Sequence, residues 1–416
     1  MASFAARSAL RTLGGVAALG TFLALPRECQ SQAEAPSAAS GAEHLLAGID
    51  EEQARNGPYS AQLIGPLTAL SEYYRGAGDH RSATAADARA LEVVRGHYGL
   101  SSLEQAAVLR RLIEDDAARG DFASAWDREQ ALLAIARKNP GDLRTIPIYR
   151  AVADGRLNIL RRYLSGERPP EIRLGCYYHE ENEPVSSCTA GSREIVVASL
   201  LQDAWKSYGD AINVFTERGL YSSDELRDLE VQILRSAYAY KGQTYRDHPD
   251  YLNLSYDTGR RRYERLLGYD ALAREPSQAE AATTAEMADW DLVFGKYASA
   301  LDTYEKAYAL LRERNADESS ITTLFSPEVP VVLPTFLPNP LASQEARSTG
   351  HIDVVFEIDR TGTSRHIQVV RTTRNASSEA TQRLVRMIER SRFRLRLTNG
   401  EFAHSAPVAL RYFVSE

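Results

Sequence analysis

The sequence predicts a mainly α-helical protein, an array of helical hairpins, that ends in a small α+β unit of ββαββ order. Three observations predict it. Apolar residues recur at helical spacing from about residue 59 onward. A self-match at a 42-residue offset lies inside that stretch. Beyond residue 340 the apolar period drops to two. At 416 residues the chain is too long for one small core, so two or three domains are expected.

Composition is ordinary for a globular protein, with 44% hydrophobic and 25% charged residues, and a formal net charge of −7. Its distribution says more. Residues 347–416 hold twelve Arg, no Lys and seven acids, net +5, while the first 35 residues are net +1. The remaining body, residues 36–346, therefore carries −13. An acidic body with a basic tail points to an anionic partner for the tail or to contact between the two parts.

The first 35 residues read as a signal peptide. Arg7 and Arg11 precede an apolar run from Leu13 to Leu25, which is shorter than the ~20 residues a spanning helix takes. Small residues around Ser31-Gln32-Ala33 and Ala33-Glu34-Ala35 suit cleavage. The expected location is the periplasm. The alternative is an uncleaved anchor in the inner membrane. Pro26, Arg27 and Glu28 argue against a lipid attached at Cys29. After cleavage Cys176 and Cys188 remain, an even pair that in an exported chain reads as a disulfide. It would close a Cys-containing loop within residues 166–193, worth ~3 kcal/mol by chain entropy.

Residues 36–58, rich in Ala, Ser, Glu and Gln, are expected to be loosely ordered. Residues 59–165 hold the repeats. Leu67, Leu70, Gly78, Asp79, Ala83 and Leu91 fall on Leu109, Leu112, Gly120, Asp121, Ala125 and Leu133. The Gly-Asp pair ends one helix and opens a turn, and the small Ala lets the next helix pack closely. Residues 194–318 form a second helical region, with the clearest hairpin in Met287–Leu311. There Gly295, Tyr297, Ala300, Tyr304 and Ala307 have the spacing of a tetratricopeptide repeat, and this part of the chain resembles that family. The resemblance implies a helical array whose concave face binds peptides or other domains. Tyr238–Tyr269 contains seven tyrosines, expected mostly between helices. Residues 319–340 are expected to be a stiff linker, with five prolines between Ser326 and Pro340.

In residues 341–416, Ile352, Val354, Phe356 and Ile358 line one face of a strand, and Ile367 and Val369 continue on a second. Ala380, Leu384, Met387 and Ile388 share a helix face. Phe393, Leu395 and Leu397 alternate with Arg392, Arg394 and Arg396 on an expected third strand, and Val408–Val414 make the fourth. With Pro340, Gly350, the turn Gly362, "IQVVRTT", Arg392-Phe393, Gly400 and the closing "LRYFVSE", this unit resembles the C-terminal domain of TonB energy transducers of Gram-negative bacteria. Asn339 stands where that family has Tyr, and Ser391-Arg392-Phe393-Arg394-Leu395 replaces a Trp-Arg-aromatic-x-Pro run. The resemblance implies that an envelope protein, such as an outer-membrane receptor, lays a peptide along an exposed sheet edge. The candidate stretches are the pre-strand segment Asn339 to Gly350 and the closing strand Pro407 to Val414, and the candidate partner-binding residues are Asn339, Pro340, Arg392, Arg394, Arg396, Leu410, Arg411 and Tyr412.

No enzyme, cofactor or small-molecule substrate is expected. Arg193 follows Cys188 one position too early for a phosphatase loop, and Cys176, His179 and Glu180 lack further ligands for zinc. No P-loop, HExxH, GxSxG or dinucleotide fingerprint occurs. Nucleic acid is not expected for an acidic exported chain. The leading function is a periplasmic adaptor. The alternative is a transducer-like role with residues 13–25 kept as an anchor.

Overall fold

A computed structural model describes residues 38–174, 193–241, 254–272, 278–313, 316–343, 350–398, 401–402 and 405–414. The signal segment and the Cys176/Cys188 pair lie outside them. The helices are α1 Ala38–Asn56, α2 Ile64–Gly76, α3 His80–Tyr98, α4 Ala106–Ala118, α5 Phe122–Arg137, α6 Ile146–Leu164, α7 Glu171–Leu174, α8 Arg193–Glu217, α9 Asp224–Ala239, α10 Leu254–Leu272, α11 Gln278–Val293, α12 Tyr297–Glu313 and α13 Glu318–Phe325. After β1 Val332–Leu333 come β2 Gly350–Asp359, β3 Ser364–Thr372, α14 Ser378–Arg390, β4 Arg392–Phe393, β5 Leu397–Thr398, β6 Glu401–Phe402 and β7 Ser405–Val414.

The chain is mainly helical, and the repeat is real in three dimensions. A 3-10 turn precedes α2 at Ala61–Leu63 and α4 at Leu103–Gln105, each capped by a serine, Ser60 and Ser102, 42 residues apart. Each first helix then ends in a left-handed glycine, Gly78 at φ 76° and Gly120 at φ 77°. The next amide closes the turn onto a carbonyl five residues back, Asp79 to Tyr74 and Asp121 to Asp116. The same side chains, Asp79 and Asp121, accept the Ser82 and Ser124 amides and cap α3 and α5. Gly295 repeats the device between α11 and α12, where Lys296 N–H reaches the Asp291 carbonyl. All eight matched Leu and Ala positions are buried.

Buried charges bind neighbouring helices. Asp87 on α3 accepts from Ser71 and Arg75 of α2 and from Arg111 of α4, while Asp115 on α4 accepts from Arg75 and from His80 of α3. Further along, Gly259 of α10 lies against the Trp290 ring of α11; a Cβ there would fall 2.0 Å from it. The absent side chain is what lets these helices approach. Of the tyrosines in Tyr238–Tyr269, Tyr263 and Tyr269 are buried and Tyr238, Tyr240 and Tyr256 half-buried; Tyr245 and Tyr251 lie outside the described residues.

Three expectations need correction. Residues 36–58 are not loose: most of them form α1, because Ile49 and Leu45 join the core that Leu63 and Leu67 share. Residues 319–340 are not a free linker. They open with most of α13, whose Ile321 and Phe325 are buried. The Pro-rich part then docks Phe336 against Tyr238 and Trp290, and its carbonyl accepts from Arg235. The third strand is broken into the short β4 and β5, with β4 pairing to β1.

The main sheet has the order β3-β2-β7, antiparallel throughout. Ile352, Val354, Phe356 and Ile358 face a core completed by Leu384 and Ile388 of α14, Phe393, Val408 and Leu410. Ile367 is half-buried against that core, whereas Val369 is exposed. A second cluster joins Ala281, Leu292, Tyr304 and Phe325 of the helical body to Leu395 and Leu397 of the tail. The two parts share packing.

Candidate partner-binding groove

The strand β2 has two unlike neighbours. Its pairing with β7 is uninterrupted over ten residues, Gly350↔Val414 to Asp359↔Ser405. Its pairing with β3 shifts register between Asp353 and Val354 and again between Val355 and Glu357. Bulges of this kind twist an edge and make it a poor template, whereas a straight edge accepts another strand. The start of β3 is further bridged, Thr363 to Arg392. Among the described residues no strand lies on the far side of β7. Pro407 there has no N–H to offer, as suits an edge strand, and the Phe413 N–H donates to Ser343 Oγ at 2.8 Å.

The alternation that buries Val408 and Leu410 turns Ala409 and Arg411 outward. On this outer face a groove of about 730 Å³ crosses the sheet from Val370 of β3, over Asp353 and Val355 of β2, to Ala409, Arg411 and Phe413 of β7. Its far wall is Glu328, Val329 and Leu341–Ser343. The two stretches read in the sequence as candidates, the pre-strand segment and the closing strand, thus border one groove. Arg411 Nε and Nη2 donate to Asp353 at 2.8 and 3.1 Å, and this hydrogen bond and charge lower the Asp353 pKa.

The other candidate residues are placed differently. Asn339 folds on itself: Nδ2 donates to the Pro330 carbonyl at 3.0 Å and Oδ1 accepts the Leu341 amide at 2.9 Å, which sets the groove wall. Pro340 is exposed beside it. Leu410 is buried on the core face, and Tyr412 is half-buried opposite Ile352.

The three arginines do not form a solvated ladder. Arg394, 7% exposed, pairs bidentately with Asp289 of α11, with Nε at 3.0 and 3.2 Å from its oxygens, and donates to the Leu324 carbonyl. Burial opposes its charge, but Asp289 outweighs burial and the pKa is raised. Tyr304 also donates to Asp289. Arg396 donates to the Pro327 and Ser326 carbonyls, and burial lowers its pKa. Arg392 donates to the Thr361 carbonyl at 3.1 Å and to Thr363 Oγ1. These side chains fasten the tail to the body and to its own turn.

Sequence reasoning missed the outer-face residues Asp353 and Val355. The signal was present, since they are the alternate positions of a strand whose inner set was read. Among the described residues no cluster of His, Cys, Asp or Glu is placed to hold a metal ion, and no helix is long and apolar enough to cross a membrane.

The fold is that of a helical-hairpin repeat protein of tetratricopeptide-like form, ending in a small antiparallel sheet. No family model matches the chain, and no curated protein matches it. Solved structures resemble it at low identity. One from Podosopora anserina, a putative kinesin light chain with nearly identical TPR-like repeats, is 11% identical over 62% of this chain and 99% of its own, with a TM-score of 0.30. BtubC from P. vanneervenii is 13% identical over 74% of this chain and 94% of its own, at 0.31. The C-terminal part of a TPR repeat-containing protein from Cytophaga hutchinsonii is 12% identical over 68% and 95%, at 0.24. At these scores the likeness carries no argument, and the repeat assignment rests on the hairpin geometry above.

Proposed function

We propose that this chain is a non-catalytic adaptor of the cell envelope, in which the helical array holds one protein and the C-terminal sheet receives an extended segment of another along β7. The carrying observation is the pairing of a straight edge strand with a walled groove on the same side of the sheet. An incoming strand gains main-chain hydrogen bonds from the edge and side-chain contacts from the groove. The sequence supports the envelope location through its signal-like start, and the TonB-like order of the tail supports a receptor or other envelope protein as the strand donor.

A photocrosslinking residue placed at Ala409, and separately at Gln382 on the exposed side of α14, tests this in intact envelopes. The expected adduct forms at position 409 and not at 382, and mass spectrometry maps it to an extended segment of the partner. Equal labelling at both positions, or adducts that map to a folded helical surface, would overturn strand addition. N-terminal sequencing of the mature chain decides the role: cleavage near residue 35 fits the adaptor, while retention of residues 13–25 fits a membrane-anchored transducer.

A further inference from the structure

The helical body has a cleft of its own, away from the sheet. It lies between α8 and α10 and has a volume of about 400 Å³. Four cations line it, Lys206, Arg261, Arg262 and Arg265, in a body whose net charge is −13. Cationic side chains gathered in a cleft of an otherwise acidic surface focus an attractive field for anions.

Their partners do not exhaust them. Glu230 of α9, buried beneath, stands 3.2 Å from Arg265 Nε and 3.5 Å from Arg262 Nη1, and accepts from Tyr269. Even so, Arg262 Nε and Nη1 are buried without a hydrogen-bond partner. Lys206 and Arg261 are exposed; Lys206 attracts Asp203 and Asp210 of its own helix, and neither cation makes a hydrogen bond or close ion pair among the described residues.

The rest of the lining distinguishes among anions. Asp210 and Asn213 stand on the same wall, with Trp205 and Leu254 as apolar surface. A carboxylate at the wall repels a compact polyanion such as a phosphate, yet it accepts N–H groups. A peptide brings both, acidic side chains for the guanidinium groups and main-chain amides for Asp210 and Asn213. The geometry points to an acidic peptide segment as the ligand, its carboxylates received by Lys206, Arg261 and Arg262.

The test is fluorescence anisotropy of labelled hexaglutamate with the full chain at low salt, against hexaglutamine and pyrophosphate. Hexaglutamate is expected to bind and hexaglutamine not to. Reversing Lys206→Glu and Arg261→Glu together should weaken hexaglutamate binding at least tenfold; both residues are exposed, and an unchanged circular dichroism spectrum separates this loss from unfolding. Arg110→Glu, an exposed reversal on α4, should leave binding within twofold. Three results would each overturn the assignment: no hexaglutamate binding, equal losses in the cleft and Arg110 variants, or pyrophosphate binding that depends on Lys206 and Arg261 while hexaglutamate does not bind. Because the cleft variant leaves β7 intact, its Ala409 adduct should persist, so failure here leaves the strand-addition reading standing.

Discussion

Asp289 and Arg394 are 105 residues apart in sequence and nearly fully buried together. Removing one member of such a pair leaves a charge with neither water nor partner, which costs about 3–5 kcal/mol. Asp289→Ala should therefore lower the free energy of unfolding by about that much in urea titrations, while Asp289→Leu with Arg394→Met should recover most of the loss. Gly259 poses the opposite problem. Alanine would favour the helix by about 1 kcal/mol, but its Cβ would press into the Trp290 ring, and overpacking costs about 1–3 kcal/mol. We expect Gly259→Ala to be net destabilising, read by the same titration. At this scale the sequence was least legible. Alternating Arg and Leu describes a strand with a wet face equally well as a segment whose cations turn inward, and nothing local to residues 392–396 points to a carboxylate on α11.

Elements were easier to read, because their devices repeat. The left-handed glycine, the amide that reaches five residues back and the capping aspartate recur at a fixed offset, so one alignment of the chain with itself located both hairpins. Gly120→Ala should cost about 1–2 kcal/mol, since an L side chain resists that backbone region, and the Gly78→Ala change should cost a similar amount. The helix α1 was missed because its Ala, Ser and Glu content masks a sparse apolar stripe around Leu45 and Ile49. The strand faces of β2 and β7 were legible because a period of two leaves little choice of which side is buried.

Acid should act on several elements at once. Burial raises the Asp115 pKa, but hydrogen bonds from Arg75 and His80 outweigh it and the net shift is downward. Asp79 and Asp121 are lowered by the serine groups they cap. Asp359 is opposed by burial yet held at about 2 by Thr361, Thr363 and Arg365. A carboxylate whose folded pKa lies below its unfolded value supports the fold above about pH 4 and withdraws that support as pH falls toward the folded pKa. The thermal midpoint should thus fall between pH 4 and about 2, and Asp359→Asn should flatten the part of that fall carried by the sheet.

For the whole molecule, the tail is not an appendage. Leu395 and Leu397 complete a cluster with α11, α12 and α13, and Phe336 sits against Trp290. A chain ending at Ser343 should lose hydrogen-exchange protection in α11–α13 while α2–α6 keep theirs; unchanged protection in α11–α13 would contradict the shared core. Point changes such as those at Ala409 are therefore cleaner probes of the sheet than deletion. The change of period after residue 340 announced a second unit, but the prolines before it suggested a spacer, since composition does not reveal that Phe336 and Leu333 find partners far back in the chain.

The clasp between Arg394 and Asp289 also governs how load would travel. Tension on a guest strand would pull β7 lengthwise against the ladder of β2, and the stretch after α14 would hand that load to α11 through a guanidinium gripped by two oxygens. The hairpin stack would thus be tugged as directly as the sheet is.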